Sequence, residues 1–512
     1  LATVDGVSHV STLSHPGLTI NYSQAEARTR VLNVLIGVSN EERVLKINNA
    51  DIRTLAAALL ERMYFCKVGG EFVAPPKVSQ QLVFNRLNVF RNRVRRNMPF
   101  SPHKLSPEDF VEMFQGRKKT IYENALPEFY QSGVKQYHAV SSAFVKCEKV
   151  NPTKAPRCIQ PRNPVYNIGV GSYLKHIEHK IYKAIGNVFN DDDIVVAKGV
   201  NVEELGAAIE RKWNRFQNPV AVGADATKFD MHCSPEILKW EHSLYQMLYR
   251  GDKELARLLS YQINNRGVGY CDDGSLKYKV KGRRFSGDMN TALGNCLIMC
   301  GMMWSYAKER GVDIAFINNG DDCVVFMERE DYPRFVVGFD QWFLDLGFRM
   351  VVEPPVYEFN KIEFCQMKPI RTIRGTVMVR NFDTAREKDS CSFLPLSNEN
   401  EVRKWLWAVG ECGLALTGGV PVFQSFYRWY MRHGVVSNVK HAVQMQSGAS
   451  FLAVRLESVE REITATARDD FMVAWGLTPD EQLALEEYYD DLDFQYSKTH
   501  IENLEEILGA PF

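Results

Sequence analysis

Two apolar, strand-like runs in this chain end in aspartates, and their pairing constrains the fold more than any other feature of the sequence. Val220-Ala221-Val222-Gly223-Ala224 leads into Asp225, with Asp230 five residues further on. Val312 to Phe326 reads as strand, turn, strand around Asn319-Gly320-Asp321-Asp322, with Asn319 and Gly320 supplying the positive φ values of a tight hairpin. If the two runs are neighbours in one sheet, Asp225 and Asp321 come within a few ångströms of each other. Like charges that close repel strongly in a partly dry site unless a cation lies between them. Mg²⁺ suits such a place, because it takes hard oxygen ligands and keeps positions open for phosphates. Two such ions roughly 3.5–4 Å apart can stabilise both the attacking and the leaving oxygen of a phosphoryl transfer. Either aspartate alone is an ordinary turn former, and it is their combination that speaks for a metal site.

Two further clusters carry polar chemistry. Ser286-Gly287-Asp288-Met289-Asn290-Thr291-Ala292-Leu293-Gly294-Asn295 leads into a helix that runs from about Asp288 to Arg310 and stops at Gly311. Thr291 and Asn295, four apart, project from one helical face and can present polar groups to a sugar, while Ser286-Gly287 makes a deformable approach. The same residues make a good helix N-terminus, with Asn290 or Asp288 as cap. The other cluster is Lys146-Cys147-Glu148-Lys149, followed by Lys154, Arg157-Cys158-Ile159 and Arg162. Strand alternation puts Arg157 and Ile159 on one side, so Arg157 can face a triphosphate with Cys158 turned away and Glu148 holding one of the cations. A surface strand laced with salt bridges has the same pattern.

The 62 basic and 62 acidic residues cancel, but they are unevenly spread. Pro76 to Ile185 carries 19 Lys or Arg against 7 Asp or Glu, whereas Glu457 to Phe512 carries 15 acidic residues against 3 basic. A stretch holding Arg91, Arg93, Arg95, Arg96, Arg117, Lys118 and Lys119 can neutralise a polyphosphate or form a solvated face. Tyr122, Tyr130, Tyr137, Tyr166 and Tyr173 interleave with it and suit either base stacking or a core.

A chain of 512 residues with 45% hydrophobic content supports several cores, which excludes a small binding module. The longest apolar stretch, around Cys296 to Trp304, is roughly half of a membrane span, and no signal-peptide pattern is present, so a soluble fragment is expected. Eleven cysteines, an odd number without a C-x-x-C pair, point to a reduced cytoplasmic setting rather than a disulfide scaffold or zinc site. Leu1 in place of Met fits a native start that lies upstream or has been trimmed.

No repeat and no long flexible linker divides the chain, so closely packed or interwoven domains are expected. The pattern predicts short strands and helices up to about residue 170, with Pro-containing loops at Ala74 to Lys77 and Asn151 to Pro164. Beyond these it predicts a helix from Ser172 to about Asn190, another from Ser234-Pro235 to Arg250, and turns over Arg266 to Gly274. A helix from Pro333 to Leu346, a strand from Phe348 to Val352 and an alternating segment from Tyr357 to Val379 follow, with mostly helices afterwards.

In order and spacing these clusters resemble the viral RNA-dependent RNA polymerases, most closely those of tombusvirus-like and carmovirus-like plant viruses. Asp225-x-x-x-x-Asp230 resembles the first palm motif of that family, Ser286-Gly287-x-x-x-Thr291-x-x-x-Asn295 the second, and Asn319-Gly320-Asp321-Asp322 the third. Lys146-x-Glu148 through Arg157-x-Ile159 is similar to the basic fingers motif that faces the incoming triphosphate. Phe359-Asn360-Lys361-Ile362-Glu363-Phe364-Cys365-Gln366 resembles the hairpin between palm and thumb that grips the primer strand, and Gly116-Arg117-Lys118-Lys119 the motif at the template entrance. The likeness covers roughly residues 80 to 380.

The resemblance implies an α+β right-hand polymerase closed by its fingertips. Fingers would take 1–215 with an insertion at 251–285, a palm with an antiparallel sheet 216–250 and 286–380, and a mostly helical thumb 381–512. It implies template-directed RNA synthesis from ribonucleoside triphosphates, replicating a positive-strand RNA genome. Asp225 and Asp321 would hold two Mg²⁺ ions with Asp322 assisting, and Mn²⁺ could substitute. Lys146 and Arg157 then belong to the nucleotide site, and Asp230 and Asn295, supported by Ser286 and Thr291, surround the ribose 2′-hydroxyl. Arg117, Lys118, Lys119, Arg162, Gly287, Cys365 and Gln366 belong to the RNA path. The lysine that such enzymes often carry after the metal hairpin, thought to protonate pyrophosphate, is missing between Pro333 and Asn360. Arg349, a poor acid, and Lys361 remain, and the general acid is unassigned.

The implied partners are a single-stranded RNA template, the nascent RNA, ribonucleoside triphosphates and a viral auxiliary replication protein. Through regions absent from this chain a host membrane joins them, in cytoplasmic replication complexes, and a start at Leu1 fits a readthrough extension of the auxiliary protein. A reverse transcriptase would share the paired aspartates but usually places an aromatic residue where this chain has Asn319. A non-catalytic viral RNA-binding or packaging protein would use the basic stretch and treat the aspartates as turns. Metal-dependent nucleotide incorporation separates it from the polymerase.

Overall fold

The two aspartate-bearing runs pair in one sheet. In the computed structural model, which describes residues 1–39, 43–438 and 449–501, Ala315–Asn319 and Asp322–Glu328 form a hairpin. The second strand of the hairpin pairs antiparallel with Pro219–Ala226, and that strand pairs antiparallel with Met350–Val352. Both faces of this four-stranded sheet are buried, which is why its strands read as unbroken apolar runs rather than alternating ones. Val220, Val222, Ala224, Phe316 and Val325 pack into one core with the Thr291–Arg310 helix, whereas Ala221, Ile317, Val324 and Phe326 pack into another with Val202, Leu205 and Ile209.

The hairpin turns one residue later than expected. Asn319 pairs with Asp322 and stays in the strand, so the loop is Gly320-Asp321, with φ +65 at Gly320 alone. Glycine in the first central position is the type II′ arrangement, whose twist matches the flanking strands. Asp321 is thereby left at the tip.

A second, five-stranded sheet runs Leu18–Tyr22, Gly274–Lys281, Asn264–Cys271, Ser141–Val145, Cys158–Ile159. The turns expected over Arg266 to Gly274 shrink to Asp272-Asp273, because the glycines there serve packing. A Cβ on Gly267 would lie 2.0 Å from the Tyr278 ring, and one on Gly269 2.5 Å from Leu55. A third sheet joins Ala2–Asp5 to Val31–Val34 and Thr499–Ile501, near both ends of the chain.

Other boundaries also differ from expectation. The helix predicted from Ser172 starts at Pro164, capped by Asn163, and a 3₁₀ turn at Lys175–Ile177 separates it from Glu178–Val188. Asn163-Pro164 is a proper start signal hidden behind a proline-rich run. The helix at Asp288 begins at Thr291. The Pro333 to Leu346 helix is split into Tyr332–Val336 and Phe339–Asp345 by Gly338, whose φ is +73. The alternating segment resolves into the hairpin Met367–Thr372 and Gly375–Arg380. Helices dominate the remainder, among them Glu399–Thr417, Phe423–His433, Ala465–Trp475 and Pro479–Asp491. The end of the acidic run, 502–512, lies outside the described residues. All eleven cysteines are free thiols, and among the described residues no helix is long and apolar enough to cross a membrane. The architecture is thus mixed α+β with mostly antiparallel strand pairing, the exceptions here being Ser141–Val145 with Asn264–Cys271 and Ala2–Asp5 with Thr499–Ile501.

Candidate active site

Strand register brings the acidic residues to one end of the central sheet. Ala224 pairs with Cys323, so Asp225, one residue beyond, stands across from Asp322, with Asp321 beside it at the hairpin tip. On its other side Asp225 pairs with Val351, and two residues later the chain supplies a fourth carboxylate, Glu353, whose N–H donates to the Gly223 carbonyl at 2.9 Å. Gly223 makes room for it, since a Cβ there would lie 2.3 Å from Glu353 Oε2. Sequence reading missed Glu353, which no local signal marks.

These carboxylates crowd one another. Burial, then Asp321, Asp225 and Glu353, push Asp322 up to about 6, and burial followed by the Asp225 charge raises Asp321 as well. Glu353 is raised by burial and by Asp225 and Glu363. Among the described residues no group of three or more His, Cys, Asp or Glu closes into a shell around an ion. The repulsion among hard oxygen donors is nonetheless the condition that a divalent cation relieves, and the residues present fit one.

That repulsion has a measurable consequence. Asp322 keeps its proton up to about pH 6 in the fold against an ordinary 3.8. Its contribution to stability is therefore complete below about 3.8 and lost as the pH rises through about 6. Asp322→Asn, neutral at every pH, is expected to raise the Tm of the metal-free chain at pH 7.5 by roughly 1 °C and to leave it unchanged at pH 4. Calorimetry at the two pH values checks this, and an equal shift at both would contradict it.

Next to the carboxylates lies a cleft that Asp230, Ser286, Asn295 and Asp321 line together with Lys146, Arg157 and Lys228. Asp230 sits on the 3₁₀ turn Phe229–His232 and accepts a hydrogen bond from Asn295 Nδ2 at 3.0 Å. Burial pushes Asp230 up to about 6, against the pull of Asn295 and Arg284. Ser286 and Thr291 spend their hydroxyl protons on the loop itself: Ser286 donates to the Cys158 carbonyl at 3.0 Å and Thr291 to the Phe285 carbonyl at 2.7 Å. Thr291 is not among the residues lining the cleft. Asn290, expected as a cap, precedes the helix but makes no side-chain cap bond and turns its amide to Glu241.

The basic side of the cleft is ordered by Glu148. It accepts both Nε and Nη2 of Arg157 and lies 3.4 Å from Lys146 Nζ. Burial opposes its charge, but Arg157 and Lys146 hold its carboxyl below the usual range. The Arg157 charge reaches Asp230 and Asp321. Arg62, Arg283 and Arg284 line the cleft as well, and Arg62, Lys228 and Arg283 are each anchored on a backbone carbonyl: Arg62 on Ala155 at 2.9 Å, Lys228 on Glu61 and Arg283 on Met63, both at 2.7 Å. Burial lowers the pKa of all three. Only Lys228 was within reach of sequence reasoning, because it stands between Asp225 and Asp230. Cys158 lines the same cleft rather than facing away, since Cys158–Ile159 is too short a strand to keep alternation.

The residues expected on an RNA path lie on three parts of the fold. Arg162 is the clearest correction: it is buried against Asp288, both side chains at most 3% exposed, and also donates to Asn265 and to the Ala139 and Tyr261 carbonyls. A fold that seals this ion pair leaves no face for a phosphate. Gly287, at φ +117, lies against Pro161. Cys365 and Gln366, with φ +52 and +60, form the two-residue turn between Phe364 and Met367, and the Cys365 thiol hydrogen-bonds Asp322. Arg117, Lys118 and Lys119 open the Gly116–Ser132 helix, with no acid in its first turn and no side-chain cap. Three cations there oppose the helix dipole, and Lys119 is compensated by Glu112 at 3.2 Å. Arg349 is tied to His232 Nε2 at 2.9 Å, and Lys361 lies 3.6 Å from Glu358.

A family model described as viral RNA dependent RNA polymerase matches residues 19–497. The chain is 39% identical over 484 residues to the RNA-directed RNA polymerase of Melon necrotic spot virus, covering 93% of this chain and 61% of that one. It is 40% identical over 455 residues to that of Turnip crinkle virus, covering 87% and 58%, and 37% identical over 495 residues to that of Maize chlorotic mottle virus, covering 95% and 51%. The chain thus spans between half and two thirds of the length of these relatives.

Proposed function

The chain belongs to the viral RNA-dependent RNA polymerases, and from that premise we propose that it copies a single-stranded RNA template into RNA from ribonucleoside triphosphates. The observation that carries the reading is the register that sets Asp225 opposite Asp322 next to a cleft lined by Arg157, Asp230 and Asn295. Asp225, Asp321 and Asp322 would hold two divalent cations of the Mg²⁺ type, replaceable by Mn²⁺. Bound there, such ions supply Lewis-acid activation of a primer hydroxyl and charge compensation at the leaving pyrophosphate.

The chain's own residues do the rest. Lys146 and Arg157, with Lys228, Arg62 and Arg283 behind them, offset the charge of a triphosphate and orient it. Asp230 accepts from the ribose 2′-hydroxyl while Asn295 donates to it. Ser286 and Thr291 brace the loop that leads into the helix carrying Asn295, and Cys365 and Gln366 guide the primer terminus. Arg117, Lys118 and Lys119 receive the template. On this reading fingers take 1–215 and 251–285, the palm 216–250 and 286–380, and a helical thumb 381–512, closed by fingertips into a right hand. An auxiliary replication protein and a membrane would be engaged through parts outside this chain, in the host cytoplasm, and the replicated genome is of positive sense.

The test is to incubate the purified chain with single-stranded RNA, labelled ribonucleotides and Mg²⁺ or Mn²⁺ and to size the product. Template-length RNA is expected, and RNA binding without incorporation would favour a packaging protein instead. The two basic regions should separate in the same assay. Arg157→Ala should raise the nucleotide KM or lower kcat with RNA affinity almost unchanged. The Arg117→Ala, Lys118→Ala double variant should weaken RNA binding and flatten its salt dependence by roughly 0.7 per lost contact, with nucleotide KM unaffected at saturating RNA. The reverse pattern would exchange the two assignments.

A further inference from the structure

We propose that the buried Arg284–Glu241 ion pair is a positioning device for ribose selection, because it holds Asn295 in the single amide orientation that sets a donor beside the Asp230 acceptor. The inference rests on the nucleotide-site reading given above. Arg284 and Glu241 are 1% and 0% exposed and 2.5 Å apart. Arg284 Nε donates to one end of the Asn295 amide at 2.9 Å. A guanidinium can only donate, so that end is the oxygen, and Nδ2 is directed at Asp230 Oδ1, 3.0 Å away. Asn295 then keeps one N–H, and Asp230 one oxygen, for a hydroxyl that both donates and accepts. The flipped amide would set its oxygen against the Asp230 carboxylate and its nitrogen against the guanidinium.

The pair itself is held without slack. Glu241 Oε2 accepts from Tyr245 at 2.6 Å and from Asn290 Nδ2 at 2.9 Å, and Asn290 Oδ1 accepts from Gln262 at 2.9 Å. The Arg284 N–H also donates to the Asp230 carbonyl at 2.9 Å, so the loop before Ser286 and the turn after Asp225 share one network. Gly294 closes over it: a Cβ there would lie 2.2 Å from Arg284 Nη2 and 2.4 Å from Glu241 Oε2. Satisfied buried networks of this sort specify one geometry more than they add stability.

The experiment measures kcat/KM for matched ribo and 2′-deoxyribonucleotides. Arg284→Lys keeps a donor, Gly294→Ala keeps both charges but displaces them, and the double variant Arg284→Met, Glu241→Gln leaves no uncompensated buried charge and so guards against a folding failure. Thermal unfolding monitors each variant. In the double variant and in Gly294→Ala the ribo-to-deoxy ratio should fall by roughly tenfold, through a higher KM for the ribonucleotide alone, with Arg284→Lys between them and wild type. Folded variants that keep the wild-type ratio, or lose equally on both sugars, would overturn the inference while leaving the nucleotide-site reading intact. A wild-type chain that incorporates neither sugar would overturn that reading and this inference with it.

Discussion

Asp321→Asn is expected to reduce nucleotide addition by roughly a thousandfold or more, and Asp225→Asn by as much, while folding and RNA affinity stay close to wild type. Each change removes one negative charge from the cluster at the end of the central sheet, and an amide oxygen cannot replace the charge that a cation requires. Packing is not at stake, because both side chains are exposed, Asp321 at the hairpin tip and Asp225 within its strand opposite Val351. Asp322 is placed differently. It begins a strand and shares a hydrogen bond with the Cys365 thiol, so Asp322→Asn should be less severe and partly restored by Mn²⁺. Single-turnover incorporation at physiological Mg²⁺, read beside a thermal melt, decides the matter. Near-normal synthesis by a folded Asp321→Asn chain would remove that residue from the reaction.

The second large effect concerns stability. Arg162→Ala should destabilise the fold by about 3–5 kcal/mol, because it strands the buried Asp288 carboxylate and removes the donors to Asn265 and to two backbone carbonyls. The guanidinium also stacks between Tyr166 and Phe285, 5.5 and 5.1 Å from their centroids, so packing is lost with the charge. Denaturant titration should show a lower midpoint, and at temperatures where the variant is still folded its RNA affinity should keep the wild-type salt dependence. A variant of unchanged stability that binds RNA with a flatter salt slope would return Arg162 to the RNA path.

Arg162 and Arg157 show where legibility stops. In the sequence they are two arginines five apart in the same basic stretch, and charge patterning treats them alike. In the fold Arg157 is about half exposed beside Glu148, whereas Arg162 is sealed against Asp288, 126 residues away in the chain. The same limit hid Arg62 and Arg283, whose presence in the cleft depends on carbonyls of Ala155 and Met63 that no local pattern connects to them. Glycine misled for a related reason: Gly267 and Gly269 read as turn formers, yet they are strand residues whose missing side chains make room for Tyr278 and Leu55.

By itself the sequence determined the elements whose cause is local. Two unbroken apolar runs announce strands buried on both faces, Ser234-Pro235 announces a helix start that the Pro235–Leu248 helix confirms, and Gly311 ends the long helix in a left-handed cap. The chemical character of the site was legible for the same reason, since carboxylates at strand tips and a Ser-Gly loop before a helix are properties of neighbouring residues. Tertiary structure alone decided which strands lie side by side, that Glu353 joins the aspartates, and which way the Asn295 amide faces. Each of these is set by hydrogen bonds or repulsions between residues far apart in the chain, whose distances no local pattern contains and which become definite only when burial removes the water that would otherwise satisfy them.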